Sequence, residues 1–165
     1  MTPRRSPHGF TLIELLIVIS IIGILAGMGI TVYPMVMKTA QRATTKTTIQ
    51  NLETALTMYK SDFGVYPDDS TPEAVMNALT GYKNDPKTRD QEFKGNPDWN
   101  GPYFDGDAKS FEFGERNRAL LDPWLSKFQF NLSQPVHNPD KYDIWSPGPN
   151  RKDEKGEGDD ISNWK

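Results

Sequence analysis

The stretch 146–160, reading Ser-Pro-Gly-Pro-Asn-Arg-Lys-Asp-Glu-Lys-Gly-Glu-Gly-Asp-Asp, has the residue types that could hold a metal ion. A hard cation such as Ca²⁺ takes about 6–8 oxygen ligands, and carboxylates on a glycine-rich loop can supply them. Gly148, Gly156 and Gly158 would let the backbone turn sharply enough to bring those oxygens together. The competing reading is a solvated polar tail, since the spacing is not that of an EF-hand and Arg151, Lys152 and Lys155 oppose a cation. The second residue with chemical potential is Glu14, a lone acid in an apolar run that follows Arg4 and Arg5. A charge at the centre of a bilayer helix costs roughly 2.5 kcal/mol or more, so it needs a partner and a role. Catalysis has little to draw on. With no cysteine and only His8 and His137, histidine-rich metal sites and Cys–His or Ser–His chemistry lack their parts. His137 sits among Pro135, Asn138 and Pro139, which reads as an exposed loop, and the chain is expected not to be an enzyme.

The elements that position these residues follow from periodicity. From 15 to 32 nothing is charged; with 10–13 added, the run reaches the roughly 20 residues that span a bilayer. An ordinary secretory signal, with a basic start, an apolar core and Ala26-Gly27 near a cut, has similar outlines but no use for Glu14. Ile49, Leu52, Leu56, Tyr59 and Phe63 then recur at three- and four-residue steps, with Ala55 beside them, as on one helix face. Gly64 suits a left-handed cap and Pro67 blocks continuation, so the pattern predicts one helix over 10–63, about 80 Å long. A short second helix is expected from a capping box at Ser70 and Glu73, with Pro72 in its first turn and Gly81 at its stop. Its core face would be Ala74, Val75, Ala78 and Leu79. The stretch 83–97 reads as a loop, and short strands are expected at 103–104, 111–113, 127–132 and 142–145. Helix first and antiparallel strands afterwards is an α+β order.

Charge narrows the partners. Residues 10–165 carry 17 Lys+Arg against 22 Asp+Glu, which argues against nucleic acid as the main ligand, because phosphate contacts need clustered cations. The globular part, about 100 residues, is small and has no disulfide to stiffen it. Membrane orientation is not set by charge, because Arg4 and Arg5 on one flank are balanced by Lys38, Arg42 and Lys46 on the other.

The string Gly9-Phe10-Thr11-Leu12-Ile13-Glu14 resembles the prepilin signal of the type IV pilin and type II secretion pseudopilin superfamily. Further motifs are similar to those of the major pseudopilins of type II secretion: 59–67 (Tyr-Lys-Ser-Asp-Phe-Gly-Val-Tyr-Pro), 99–103 (Trp-Asn-Gly-Pro-Tyr), Asp122-Pro123-Trp124, and the ending 159–164. Adhesive pilins commonly close a C-terminal loop with a disulfide, which this chain cannot form. It departs from the family at Leu125-Ser126-Lys127, where Gly-Asn-Pro is usual, and in 83–97 and 105–119, which look like insertions.

The resemblance implies a pilin-like α+β fold, with the long helix packed on a small antiparallel sheet. Its parts would be a leader at 1–9, a transmembrane and assembly half of the helix at 10–33, an amphipathic half at 34–64, and a periplasmic globular domain at 65–165. A prepilin peptidase would cut between Gly9 and Phe10 and methylate the new Phe10 amine, giving N-methylphenylalanine. Glu14 would pair with the Phe10 ammonium of a neighbouring copy. The implied protein is a single-pass inner-membrane subunit held in lipid before assembly. Self-assembly with minor pseudopilins, on an inner-membrane platform with a cytoplasmic ATPase, would build a short periplasmic pseudopilus that drives protein export. A type IV pilus subunit for adhesion, motility or DNA uptake is the alternative, and a non-assembling anchored domain the third reading. The family's calcium site, carried over by position, would fall on the Pro147 carbonyl, Asn150, Asp159 and Asp160, with a structural role.

Overall fold

A computed structural model of the chain describes residues 10–81, 97–105, 110–113 and 118–165, with side chains at all of these except 28–32, 112, 113 and 118. The leader at 1–9 with Gly9, the expected loop at 83–97 up to residue 96, and much of the 105–119 stretch lie outside the described residues. Two compact units are distinguished, Met1–Ala40 and Gln41–Lys165.

Helix α1, Leu12–Phe63, is 52 residues long and accommodates Pro34 in its interior. At its end Gly64 takes φ 75° and its N–H donates to Lys60 O at 2.8 Å, a left-handed cap. In the first unit the described side chains of α1 are all exposed, from Leu12 at 82 % through Ile13, Leu16 and Ile19 to Leu25. Among the described residues no helix is long and apolar enough to cross a membrane. The span expected at 10–33 therefore rests on the sequence run.

In the second unit α1 buries the stripe its spacing predicts: Ile49, Leu52, Ala55 and Leu56 are within 2 % of full burial, and Tyr59 packs beside them. Thr45 extends that stripe one turn earlier, its hydroxyl donating to Gln41 O at 2.9 Å. Helix α2, Pro72–Thr80, starts one residue later than the sequence suggests. Thr71 is the N-cap, accepting from Ala74 N at 3.1 Å, while Ser70 turns to Asp68 and Glu73 pairs with Lys127 at 2.9 Å. The core face turns with it. Val75, Met76 and Leu79 are buried, whereas Ala74 and Ala78 are only half-buried. Gly81 ends the helix at φ 72°, where the Trp99 ring would lie 2.7 Å from any added Cβ.

Five short strands follow: β1 Phe111–Phe113, β2 Arg118–Leu120, β3 Gln129–Asn131, β4 Asp143–Ser146 and β5 Ile161–Ser162. They form two antiparallel sheets among the described residues, a β1–β2 pair and a three-stranded sheet ordered β3-β4-β5. The expected strands at 111–113, 127–132 and 142–145 are found, the latter two with adjusted ends. Residues 103–104 are not a strand. Tyr103 and Phe104 instead donate their N–H groups to Leu79 O at the end of α2. The alternation of Phe128, Phe130 and Leu132 buries all three, joining Ile144, Ile161 and the α1 stripe in one core.

Candidate functional site

The loop between β4 and β5 turns by positive φ at Gly148, Arg151, Lys155, Gly156 and Gly158. Two of those glycines are required by close approach. A Cβ at Gly148 would sit 2.6 Å from Asp159 O, and one at Gly156 would run into the Trp164 ring. The result is a cluster of Glu154, Asp159 and Asp160, each offering a carboxylate oxygen within 4.8 Å of the others.

Hydrogen bonds hold half of each Asp carboxylate and leave the other half open. Asp160 Oδ2 accepts from Glu154 N at 3.0 Å and Gly156 N at 2.8 Å, and Asp159 Oδ2 accepts from Asn150 N at 3.1 Å. Asp159 Oδ1 and Asp160 Oδ1 are buried and have no hydrogen-bond partner. Burial pushes the Asp160 carboxyl up; the N–H bonds from Gly156 and Glu154 pull it down, but the negative charges of Asp153 and Glu154 add to the rise, which prevails. Buried oxygens without donors, facing neighbouring carboxylates, are what a hard cation would satisfy. The donor set thus fits calcium.

Asp159 and Asp160 come together as the sequence expects, and Pro147 is buried beside the Gly148–Asp159 contact. Asn150 presents its backbone N–H to Asp159, while its side-chain Oδ1 accepts from Lys152 N at 2.6 Å. Glu154 was not among the expected ligands. Its signal in the sequence was only its place in an acidic, glycine-rich loop, and a turn at Lys155 to φ 56° brings it in.

Around this loop, His137 stacks flat on Trp164 at 4.1 Å, and Trp145 donates to Asp153 Oδ1 at 2.8 Å. The Asp122-Pro123-Trp124 motif is structural: buried Asp122 accepts from Trp124 N, Ser126 N and the Ser146 hydroxyl at 2.6–2.9 Å. In the 99–103 motif, Asn100 and the Tyr103 hydroxyl both donate to Asp62 Oδ2, at 3.2 and 2.7 Å. Burial first, and the Asp62 carboxylate after it, push the Tyr103 phenol up to about 12.

At the other end of the chain, Phe10 is 77 % exposed and Glu14 stands in the first turn of α1. Glu14 Oε2 accepts from Thr11 N at 2.8 Å and from the Thr11 hydroxyl at 2.7 Å, and Glu14 N donates back to that hydroxyl at 3.3 Å. This is a capping box, a local use of the carboxylate that the sequence reading did not anticipate.

Two family descriptions match the chain. "Prokaryotic N-terminal methylation motif" covers residues 4–30, and "Type II secretion system (T2SS), protein G" covers 34–164. The chain belongs to the type II secretion system protein G family. Relatives described as "Type II secretion system core protein G" are 32% identical in Pseudomonas aeruginosa, with 98% of this chain and 97% of the relative covered, and 33% identical in Klebsiella pneumoniae, with 95% and 94% covered. One from Aeromonas hydrophila is 34% identical over 98% of this chain and 94% of its own. A solved structure described as the major pseudopilin of the type 2 secretion system of enterohaemorrhagic Escherichia coli overlaps loosely, with a TM-score of 0.43 at 22% identity, covering 76% of this chain and 88% of that one. The protein G match takes in the second half of α1, α2, all five strands and the acidic loop, while the methylation-motif match takes in Phe10 and Glu14.

Proposed function

We propose that this chain is a major pseudopilin, a structural and non-catalytic subunit of a periplasmic fibre in type II secretion. The observation that carries the reading is the pairing of an N-terminal methylation motif at 4–30 with a protein G match over 34–164 in one chain. The second match favours secretion over a pilus used for adhesion, motility or DNA uptake. The uncharged run at 15–32 would anchor the protein in the inner membrane, with the second unit on the periplasmic side. A prepilin peptidase would cut after Gly9 and methylate Phe10. Minor pseudopilins and an inner-membrane platform with its ATPase would be the further partners. The Phe10 ammonium of a neighbouring copy would then meet Glu14, and leaving either charge alone in hydrocarbon would penalise every other register.

The capping box gives a sharp test of that pairing, because Gln at the third helical position keeps the cap but not the charge. With pairing as the role, Glu14→Gln and Glu14→Ala both abolish fibres and secretion while membrane insertion persists. A Glu14→Gln protein that assembles and secretes like the parent would reduce Glu14 to a cap. Deleting the gene should stop export of folded proteins and leave surface pili intact; the opposite pattern would move the protein to pilus biology.

The acidic loop would hold Ca²⁺ through Glu154, Asp159 and Asp160, with the Pro147 carbonyl and Asn150 as further oxygens. Bound there, the ion would supply charge neutralisation and a cross-link in a domain that has no cysteine. The chain's own part is to hold the carboxylates in place through the N–H groups of Asn150, Glu154 and Gly156.

A further inference from the structure

Leu125 stands where a leucine is least expected. It takes φ 67°, in the left-handed region where a Cβ crowds the following carbonyl oxygen, and it is 69 % exposed. The other described non-glycine residues with positive φ, Arg151 and Lys155, belong to the acidic loop. Buried Asp122 fixes the turn that carries Leu125. Its carboxylate accepts from Trp124 N at 2.9 Å, Ser126 N at 2.8 Å and the Ser146 hydroxyl at 2.6 Å, while Leu125 N donates to Asp122 O at 3.0 Å. The fold thus holds an apolar side chain out in water on strained backbone, and the core gains little from it. Strain kept in that way points to a role outside the domain.

A receptor for such a side chain exists elsewhere on the second unit. Phe130, Val136, Trp145 and Trp164 line a cavity of about 430 Å³, and Val136 is 76 % exposed. The Leu125 turn and Val136 are fixed at opposite ends of β3. Asp122 ties the turn to Ser146, next to the Gln129–Trp145 pair, whereas Asp143, opposite Asn131, accepts from Val136 N at 2.7 Å. A knob and a socket at different places on one molecule make a head-to-tail contact, and repeated head-to-tail contacts that do not close make open filaments.

Size selects the occupant. One leucine in one cavity falls far short of the roughly 1,000 Å² that a specific free complex buries. So small a contact is made only between partners already tethered at high local concentration. Copies whose helices are bundled in one fibre meet that condition; a freely diffusing protein does not. We propose that Leu125 of one copy seats in the Val136–Trp145–Trp164 cavity of a second copy. The inference rests on the fibre reading and adds to it a contact between globular domains.

The test uses the full chain expressed with its assembly machinery. Because the chain has no cysteine, introduced thiols report without background. L125C, V136C and L125C/V136C, which keep small apolar side chains at both places, are treated with a short bismaleimide. The proposal expects a ladder of covalent multimers from the double variant and monomer from each single one, since the two positions meet each other and never themselves. Fibre yield and thermal melting are then compared for the parent and Leu125→Gly. Glycine relieves the left-handed backbone as it removes the knob, so yield should fall roughly tenfold or more while the melting temperature holds or rises. Parental yield in Leu125→Gly, or fibres of the double variant without a ladder, would overturn the contact and leave the fibre reading intact. So would cross-linked dimers of L125C alone, which mean a symmetric contact, or cross-links from L125C to a different protein. A lower melting temperature alongside lost fibres would assign Leu125 to the fold and overturn the proposal too. A parent that forms no fibres would overturn both readings.

Discussion

At Asp160, burial and neighbouring charge act against the backbone. Two N–H groups stabilise its carboxylate, yet burial and the Asp153 and Glu154 charges leave the carboxyl raised. A carboxyl raised in the folded state favours folding most when protonated, below its unfolded value, and loses that contribution as pH rises through the folded value. This one group therefore opposes the metal-free fold at neutral pH. Asp160→Asn is predicted to melt higher than the parent at pH 7 in chelator, because an amide in place of the orphaned oxygen carries no charge. Calcium should raise the parent's melting temperature and leave Asp160→Asn and Glu154→Gln unmoved. An equal rise in all three would remove both residues from the ion's shell. Asp159 and Asp160 could be picked out from the sequence as candidate ligands because they adjoin each other in an ending that resembles the family's. Glu154 could not, because its position depends on left-handed backbone at Lys155 and Gly156 that no local pattern announces.

The elements are fastened by buried carboxylates that bind backbone. Asp143, on β4, is 2 % exposed and gathers the N–H groups of Val136, His137 and Asn138 at 2.7–2.9 Å, fixing the connection from β3. Burial pushes its carboxyl up, but the bonds from His137, Val136 and Asn138 outweigh burial and hold it below the usual carboxylate range. The stability from such a group is present above its unfolded pKa and is lost as pH falls through the lower folded value. Asp143→Ala leaves three N–H groups without their acceptor and is expected to cost roughly 2–4 kcal/mol in urea unfolding at pH 7. The deficit should begin to shrink below about pH 4, where the unfolded carboxyl takes up a proton, and vanish only below the lower folded value, where the native carboxylate is protonated too. A constant deficit down to pH 2 would mean that the side chain acts by packing. The helices were legible because a stripe such as Ile49-Leu52-Leu56 repeats often enough to define a face, and Gly64 and Gly81 mark real left-handed stops. Strands β2 and β5 carry no such signal: Arg118-Ala119-Leu120 does not alternate polar and apolar, as Phe111-Glu112-Phe113 does, and β5 has only two residues. The start of α2 was misplaced by one residue because Ser70 and Thr71 offer equivalent hydroxyls, and the choice fell to Asp68, which takes Ser70.

For the whole molecule, the decisive asymmetry is where apolar surface is hidden. Among the described residues every buried hydrophobic lies at Ile49 or later, while the large apolar side chains described from Phe10 to Met37 are exposed. Burying apolar area contributes roughly 25 cal/mol per Å², so Gln41–Lys165 contains all of the described core that can hold a fold, and Met1–Ala40 contains surface that must be covered by something else. Exposed apolar patches beyond a few hundred Å² mark partner or membrane contacts. A chain beginning at Gln41 is therefore predicted to fold alone, as a monomer, with one cooperative urea transition that detergent does not change. The full chain should require detergent or lipid to stay dispersed, yet show the same urea midpoint for its globular part. Loss of cooperative unfolding on removing residues 1–40 would show that the first half of the helix supports the core. In that case Glu14 and its neighbours would have to be weighed as stabilising elements before their role in assembly could be read from mutants.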